Sequence, residues 1–303
     1  SAAAQGIINW KISDIGADTL LSDSYIALAG STPGDWYPIA LSRLGCKTDY
    51  SGYLAVLEQN VKERYALDGG LSAAKATEWH RITLAVLASG GNPRDIDGID
   101  LVADGTYNRG KTASLGRQGI NGWIWGLIAL DSKSWEVPKD AYYTRDDIIL
   151  QILSAQLENG GFALTGEAAD PDITAMALQA LAKYRDRQDV EDAVQRGLAA
   201  LSALQEPNGA YLSWDEENSE SVCQVIVALT ELGISLDDER FVKNGQTLPQ
   251  VLERFACEDG SYRHALNGSS DEMATEQALY ALAAIHRAET GETTLYDMTD
   301  VKA

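Results

Sequence analysis

The chain has 303 residues, of which 45% are hydrophobic and 23% are charged, and this composition is typical of a folded globular protein. Asp and Glu number 45 against 24 Lys and Arg, and the net charge of −21 argues against binding to nucleic acid or to an anionic membrane surface. No apolar run reaches the roughly 18 residues that a membrane-spanning helix needs, so we expect no membrane insertion.

A six-fold repeat of leucine pairs runs along the sequence. Each pair has the form Leu-x-x-Leu, and successive pairs begin 43, 43, 51, 51 and 50 residues apart. The pairs begin at Leu41, Leu84, Leu127, Leu178, Leu229 and Leu279. Each pair lies in a run that is apolar on nearly all sides, which predicts a buried helix. The six inner helices are expected at Asp35–Leu44, Thr77–Ala88, Asn121–Leu130, Asp170–Lys183, Ser219–Leu232 and Asp271–His286.

More amphipathic segments lie between these buried runs. Apolar residues recur at helical spacing, with charged residues opposite, in Thr144–Gln156, Val190–Gln205 and Thr247–Phe255. Two helices per repeat predict twelve helices, and closing six hairpins into a ring leaves no apolar end exposed. The predicted fold class is all-α, an (α/α)6 toroid that forms one domain over residues 1–303. Residues 290–303 are predicted to form a C-terminal tail or a linker toward a downstream domain.

Glycine–aromatic pairs and capping residues mark the predicted helix boundaries. An aromatic residue follows Gly160, Gly209 and Gly260 by two positions. The glycine can end one helix, and the aromatic ring can fill the gap before the next. Each inner helix is also predicted to begin at a residue whose side chain can cap it. These capping residues are Asp35, Thr77, Asn121, Asp170, Ser219 and Asp271.

Two motifs resemble those of the terpenoid cyclases and protein prenyltransferases, which share an α/α toroid. Gln156–Phe162 is similar to the cyclase repeat Gln-x-x-x-Gly-x-Trp with Phe for Trp, and Gln205–Tyr211 is a second copy with Tyr. Asp170–Ala175 resembles the Asp-x-Asp-Asp-Thr-Ala motif of squalene–hopene-type cyclases. The order of the later repeats resembles more closely a toroid module of Gram-positive surface proteins. That module is named for prenyltransferase or squalene-cyclase repeats and has no assigned chemistry.

The resemblance makes Asp170 and Asp172 the best candidates for catalysis. In the cyclases the middle acid of the motif protonates an alkene or epoxide, and by position Asp172 would be that acid. The third Asp of the family motif is Ile173 here, which removes a hydrogen-bonding partner of the acid. The family also builds its site between two toroids, whereas this chain has one. We therefore favour a structural role, in which Asp170 caps the fourth inner helix and Pro171 occupies its first turn.

The cysteines and histidines do not form a metal-binding pattern. Cys46, Cys223 and Cys257 include no Cys-x-x-Cys pair and cannot form a closed set of disulfides. Prenyltransferase chemistry needs zinc held by an Asp, a Cys and a His. Cys257, Asp259 and His264 do not follow the order and spacing of that family. We predict no bound zinc and no other cofactor.

Acidic, amide and tryptophan side chains are predicted to surround one mouth of the ring, close to the starts of the inner helices. The predicted ligand-binding residues are Asp35, Trp36, Glu78, Trp79, Asn121, Trp123, Asp172 and Gln224. Such a cup could stack on and hydrogen-bond a large apolar or polycyclic small molecule, whereas its acids argue against pyrophosphate. In the alternative interpretation, the tryptophan rings only fill the centre of the ring.

The sequence leaves three functions open. The missing third Asp, the missing zinc ligands and the resemblance to surface proteins favour a non-catalytic bacterial module, extracellular or on the cell surface. It would bind a small molecule or another surface protein, and we expect it to be a monomer. The first alternative is a divergent terpenoid cyclase that uses Asp172 as its acid. The second is a corrinoid (cobalamin) carrier, because carriers such as transcobalamin share the ring architecture.

Overall fold

The computed structural model describes residues 1–111 and 113–302, which are mainly helical. In chain order the α-helices are α1 (Ala2–Asp14), α2 (Asp23–Ile26), α3 (Thr32–Arg43), α4 (Ser51–Asp68), α5 (Thr77–Ala88), α6 (Ile120–Asp131), α7 (Arg145–Ser154), α8 (Pro171–Leu181), α9 (Gln188–Leu204), α10 (Ser219–Glu231), α11 (Leu248–Glu253) and α12 (Glu272–Thr290). Two short strands, β1 (Leu212–Ser213) and β2 (Glu216–Glu217), pair antiparallel. Among the described helices, none combines the length and the hydropathy needed to cross a bilayer.

The six inner helices predicted from the leucine pairs are present. They are α3, α5, α6, α8, α10 and α12, and each begins and ends within four residues of its predicted position. These helices are apolar on nearly all sides because they are buried on nearly all sides. Every residue from Ser219 to Thr230 in α10 is buried, and so is every residue from Trp79 to Ala88 in α5.

Contacts along the chain define two compact units. The first unit comprises Ser1–Asp14 and Leu153–Leu295, and the second comprises Ile15–Ile152 and Tyr296–Ala303. In the first unit, α8, α10 and α12 pack side by side in that order, and each has a partner helix: α9 packs on α8, α11 on α10 and α1 on α12. In the second unit, α3, α5 and α6 pack in the same consecutive way, and α4 packs on α5. Neighbouring helical hairpins are therefore the building block of both units.

The segment between α5 and α6 departs from the predicted two helices per repeat. It contains a π-helical turn at Ala103–Tyr107 and two short 3-10 turns, with no α-helix among its described residues. Gly90, Gly91 and Pro93 open this segment, and each is a poor helix former. These breakers interrupt the helical period and explain why the predicted outer helix is absent.

The C-terminal segment packs against the second unit. Tyr296 and Met298 are buried, and the guanidinium of buried Arg43 forms an ion pair with Asp300 at 2.8 Å. The Met298 N–H also donates a hydrogen bond to the Ser132 carbonyl at 2.7 Å. Ala303 lies outside the described residues. The prediction that residues 290–303 are a linker toward another domain stays untested.

Two of the predicted capping side chains are confirmed. Oδ1 of Asp170 accepts a hydrogen bond from the Ile173 N–H at 2.9 Å, and Oδ1 of Asp271 accepts one from the Ala274 N–H at 2.8 Å. The cap of α10 is Asn218, one residue before the predicted Ser219.

The three predicted caps in the second unit lie inside their helices. Asp35 comes one turn after Ser31, the residue at the N-terminal boundary of α3. Thr77 and Asn121 likewise follow the boundary residues of α5 and α6. Ser31 is itself a capping-type residue and Pro33 occupies the first turn, so the earlier start of α3 has a local sequence signal that the prediction at Asp35 did not use.

Candidate functional site

A cavity of about 500 Å³ lies in the first unit, where the N-terminus of α8 meets the β1–β2 hairpin. It is lined by Ala163, Leu164, Thr165, Ala168, Ala169, Asp170, Pro171, Asp172, Ile173, Met176, Leu212, Ser213, Trp214 and Asp215. The cavity thus combines both predicted catalytic acids with an aromatic side chain. Its volume lies within the roughly 300–1,000 Å³ that is usual for small-molecule sites.

The hairpin places a strained tryptophan at the edge of this cavity. Trp214 and Asp215 connect the two strands with φ angles of 54° and 62°. A two-residue hairpin turn with both central residues at positive φ matches the twist of the strands, but a bulky residue seldom adopts this conformation. The Trp214 side chain is also 93% exposed. An exposed ring held in a strained turn beside a cavity is typical of a binding surface.

Asp170 joins α8 to the hairpin. Besides capping α8 through Oδ1, it accepts a hydrogen bond at Oδ2 from the Ser213 hydroxyl at 3.1 Å. The Thr174 hydroxyl reinforces this corner, because it accepts a hydrogen bond from the Phe162 N–H at 2.9 Å. Asp170 therefore caps α8, as the structural interpretation predicted, and it also holds the hairpin and contributes a carboxylate to the cavity.

Asp172 has the properties of a proton donor. Its Oδ1 is buried and makes no hydrogen bond with the described residues. Burial raises the pKa of this carboxyl from 3.8 to about 6, opposed by the Ser221 hydroxyl. The negative charges of Asp170 and Glu220 raise the pKa further, and His264 lowers it. A substantial fraction of Asp172 is therefore protonated at mildly acidic pH.

A histidine and two glutamates lie close to Asp172: Glu216 on β2, Glu220 on α10 and His264 in the loop after α11. Nδ1 of His264 lies 2.8 Å from Oε1 and 2.9 Å from Oε2 of Glu220, and its Nε2 lies 3.3 Å from Oε2 of Glu216. Burial alone lowers the pKa of His264, but its glutamate partners outweigh burial and the pKa is raised. Glu220 is buried, so this pairing neutralises a carboxylate in the interior.

The predicted acids of the second unit are bound within its core. Asp35 is fully buried and accepts hydrogen bonds from Arg81 Nε at 2.8 Å and the Tyr53 hydroxyl at 2.7 Å. Glu78 forms ion pairs with Arg81 and Arg64. Burial raises the pKa of Asp35 although Arg81 stabilises its charged form. These contacts give both acids a structural role.

The predicted tryptophans of the second unit pack against other aromatic and polar groups. Trp36 contacts Trp125 edge to face at 5.7 Å between ring centroids, and Trp123 contacts Tyr143 at 5.1 Å. The indole N–H of Trp79 donates to the Tyr65 hydroxyl at 2.7 Å, and the Arg109 guanidinium lies 4.0 Å from the Trp79 ring centroid. Oδ1 of Asn121 is buried without a hydrogen bond to the described residues. These contacts give the tryptophans packing partners; their predicted ligand binding stays a prediction.

Gln224 belongs to a chain of amides across the inner helices of the first unit. Its backbone carbonyl accepts a hydrogen bond from the Gln179 side chain at 3.0 Å. Its own amide donates to the Tyr280 hydroxyl at 2.6 Å and to Gln277 at 3.1 Å. The structure therefore ties Gln224 to α8 and α12, and its predicted contact with a ligand stays a prediction.

Trp214, Glu220 and His264 belong to the site but were not predicted as ligand-binding residues. Asn-Gly or Asp-Gly would signal the observed turn type, whereas Trp-Asp does not. Glu220 and His264 are 44 residues apart in sequence, and only packing of the loop after α11 against α10 brings them together. Among the described residues, no three His, Cys, Asp or Glu side chains are arranged to hold a metal ion.

No family model matches the chain. A drimenyl diphosphate synthase from Streptomyces showdoensis is 29% identical over an alignment of 147 residues that covers 46% of this chain. The chain covers 26% of that enzyme, so it spans about a quarter of the length of this curated relative.

Solved structures with similar folds cover nearly the whole chain. An unsaturated glucuronyl hydrolase from Bacillus sp. GL1, responsible for the degradation of glycosaminoglycan, is 13% identical with a TM-score of 0.63. A second structure of this enzyme class, with dGlcA-Glc-Rha-Glc, is 14% identical with a TM-score of 0.64. Both matches cover 97% of this chain and 97% of the other. The predicted all-α toroid fold is confirmed, whereas nothing identifies the more specific repeat module of surface proteins.

The function predicted from the sequence is corrected by these neighbours. They are catalytic glycoside hydrolases, so the prediction of a non-catalytic binding module is contradicted. The terpenoid-cyclase alternative is not supported by them either, and the corrinoid-carrier alternative stays untested. Ile173 in place of the third Asp of the cyclase motif is therefore not evidence that the chain lacks chemistry. At this level of identity, the shared feature of the chain and its neighbours is the α/α-toroid fold.

Proposed function

We propose that this chain is a hydrolase of glycosidic bonds and that Asp172 is its general acid. The observation that carries the proposal is a half-buried carboxyl with a pKa of about 6 on a cavity edged by an exposed tryptophan. Cleavage of a glycosidic bond needs a carboxylic acid that is still protonated near the working pH. The similarity in fold to glucuronyl hydrolases over 97% of the chain supports the same class of reaction.

In the proposed reaction, Asp172 donates its proton to the glycosidic oxygen while the bond between that oxygen and the anomeric carbon breaks. A water molecule adds to the anomeric carbon. Its surplus proton passes to Asp170, whose carboxylate lines the same cavity. Exchange of protons with solvent then restores both carboxyl groups. No other reactant is needed, because water supplies the new hydroxyl group of one product and, after proton exchange, the hydroxyl proton of the other.

Trp214 has a separate part in the proposed site. Its ring is accessible beside the cavity, and a flat aromatic face can stack on the C–H face of a sugar ring. The hairpin is held by the hydrogen bond between Ser213 and Asp170. A sugar ring stacked on Trp214 would therefore be kept at a fixed distance from Asp170 and Asp172.

The first experiment measures release of reducing ends from a panel of neutral, amino-sugar and uronic-acid oligosaccharides. The wild type is expected to cleave at least one of them, fastest below about pH 6, because Asp172 loses its proton above this value. Asp172→Asn should lower the rate at least about 100-fold, the usual contribution of general acid catalysis. Asp192→Asn is the matched control, because it makes the same change at an exposed aspartate of α9.

Two results would contradict this assignment. Absence of cleavage across the whole panel between pH 4 and 8 would rule out the proposed activity. Cleavage that survives Asp172→Asn unchanged would leave the chain a hydrolase but remove Asp172 from its mechanism. Circular dichroism of each variant confirms that an observed loss of activity reflects lost chemistry in a folded protein.

A further inference from the structure

We propose that the cavity takes an oligosaccharide that carries free amino groups, and this inference rests on the proposed function. The negative charge of the residues that line the cavity is the observation on which this inference depends. Asp170, Asp172 and Asp215 line the cavity, and the described residues of its lining include no Lys, Arg or His. A cationic sugar would gain hydrogen bonds to these carboxylates, whereas a uronic acid would be repelled.

The groups surrounding the cavity do not reverse this charge. His264 is the cation that acts on Asp172, and it is already paired with Glu220 and Glu216. Glu217 follows on β2, where it accepts hydrogen bonds from the Asn208 amide at 2.9 and 3.0 Å. Carboxylates thus outnumber cations both in the lining and in the adjoining hairpin.

The arrangement of Trp214 and Asp215 suits an amino sugar in shape as well as in charge. The two residues are adjacent in the same strained turn, and both are exposed. A sugar ring stacked on Trp214 could direct an ammonium group toward the neighbouring Asp215 carboxylate. This combination joins an apolar contact with a charge-assisted hydrogen bond, and each separately favours binding.

The charge preference is tested by binding, so that it does not depend on turnover. Asp172→Asn is used as the inactive protein, and its affinity is measured by calorimetry for tetramers of glucosamine, N-acetylglucosamine and galacturonic acid. We expect the glucosamine tetramer to bind about tenfold more tightly than the N-acetylglucosamine tetramer at low salt. The galacturonic acid tetramer should bind most weakly. Raising the salt concentration should reduce the difference in affinity between the glucosamine and N-acetylglucosamine tetramers.

A second substitution tests whether Asp215 is responsible for the preference for the glucosamine tetramer. Asp215→Asn, made in the Asp172→Asn background, should lower the preference for glucosamine severalfold and leave N-acetylglucosamine binding nearly unchanged. Asparagine tolerates the positive φ of this position, so the turn is expected to stay intact. Asp192→Asn in the same background is the control and should change neither affinity.

The outcomes separate this inference from the proposed function. Tighter binding of galacturonic acid than of glucosamine, or binding of none of the three tetramers, would overturn the amino-sugar assignment even if other glycosides are cleaved. Failure of the wild type to cleave any oligosaccharide would overturn the hydrolase proposal. Selective binding of the glucosamine tetramer without cleavage would then establish the ligand class alone.

Discussion

At the scale of single residues, Asp170 and Asp172 show how two acids in one turn acquire different roles. Asp170 accepts a hydrogen bond from the backbone and another from Ser213, so its charge is compensated. Asp172 has a buried oxygen without such a partner, and burial raises its pKa to about 6. Hydrogen bonding to the charged form therefore distinguishes the capping acid Asp170 from Asp172, the proposed proton donor.

The raised pKa of Asp172 makes a prediction for stability. Its folded-state pKa lies above the unfolded value, so the folded protein binds the proton more tightly. The stability that this tighter proton binding adds to the folded state is present below about pH 4, and it is lost as the pH rises to about 6. The shift corresponds to about 3 kcal/mol, since one pKa unit is about 1.4 kcal/mol. In urea unfolding, Asp172→Asn should gain stability relative to the wild type between pH 4 and 7. A pH-independent difference would contradict the raised pKa.

His264 makes a prediction for the pH dependence of activity. Its positive charge lowers the pKa of Asp172, so its removal should raise that pKa. We expect His264→Gln to move the alkaline limb of the rate profile to higher pH. The Gln side chain can still hydrogen-bond Glu220, which keeps the local packing. A lower rate without a shift of the alkaline limb of the pH–rate profile would show that His264 maintains the local structure and does not influence the pKa of Asp172. His286→Gln on α12 is the control.

At the scale of helices, the side-chain caps of α8 and α12 allow a matched comparison. Asp271→Ala removes one cap and should lower the free energy of unfolding by about 0.5–2 kcal/mol. Asp170→Ala should cost more, because it also removes the hydrogen bond with Ser213. Chemical denaturation measures both. Asn at either position should restore most of the stability, since Asn caps helices as well as Asp does. Equal losses for the two Ala variants would show that the hairpin contact adds nothing.

The β1–β2 hairpin gives a prediction about strain and function. Replacing Trp214 by Asn and Asp215 by Gly supplies the preferred residues for its turn. The double variant should be about 1 kcal/mol more stable and should bind oligosaccharides more weakly, because both the stacking ring and the Asp215 carboxylate are lost. Ser134→Gly is the control: it relieves another positive φ, in the second unit, and should leave binding unchanged. Unchanged binding by the double variant would exclude Trp214 from the site.

At the scale of the whole molecule, the sequence predicted the fold better than the site. The leucine repeat predicted six inner helices, because burial on all sides leaves a clear apolar period in each repeat. The prediction of a second helix in each repeat failed between α5 and α6, where glycine and proline break the helical pattern. The cavity depends on packing between distant segments, such as Ser213 of the hairpin against Asp170 at the start of α8. The motif at Asp170 indicated the acids, but local sequence does not encode the position of Trp214 beside them.

The net charge of −21 makes a prediction for the molecule as a whole. Repulsion among surface carboxylates opposes the compact state, and salt screens it over about 10 Å at 0.1 M. The unfolding temperature should therefore rise by a few degrees between 20 and 300 mM NaCl, corresponding to about 1 kcal/mol. Replacing the exposed Glu158, Glu239 and Glu289 by Lys lowers the net negative charge by six and should shrink this rise. If salt stabilises both proteins equally, the effect belongs to local ion pairs or to hydrophobic burial rather than to the overall charge.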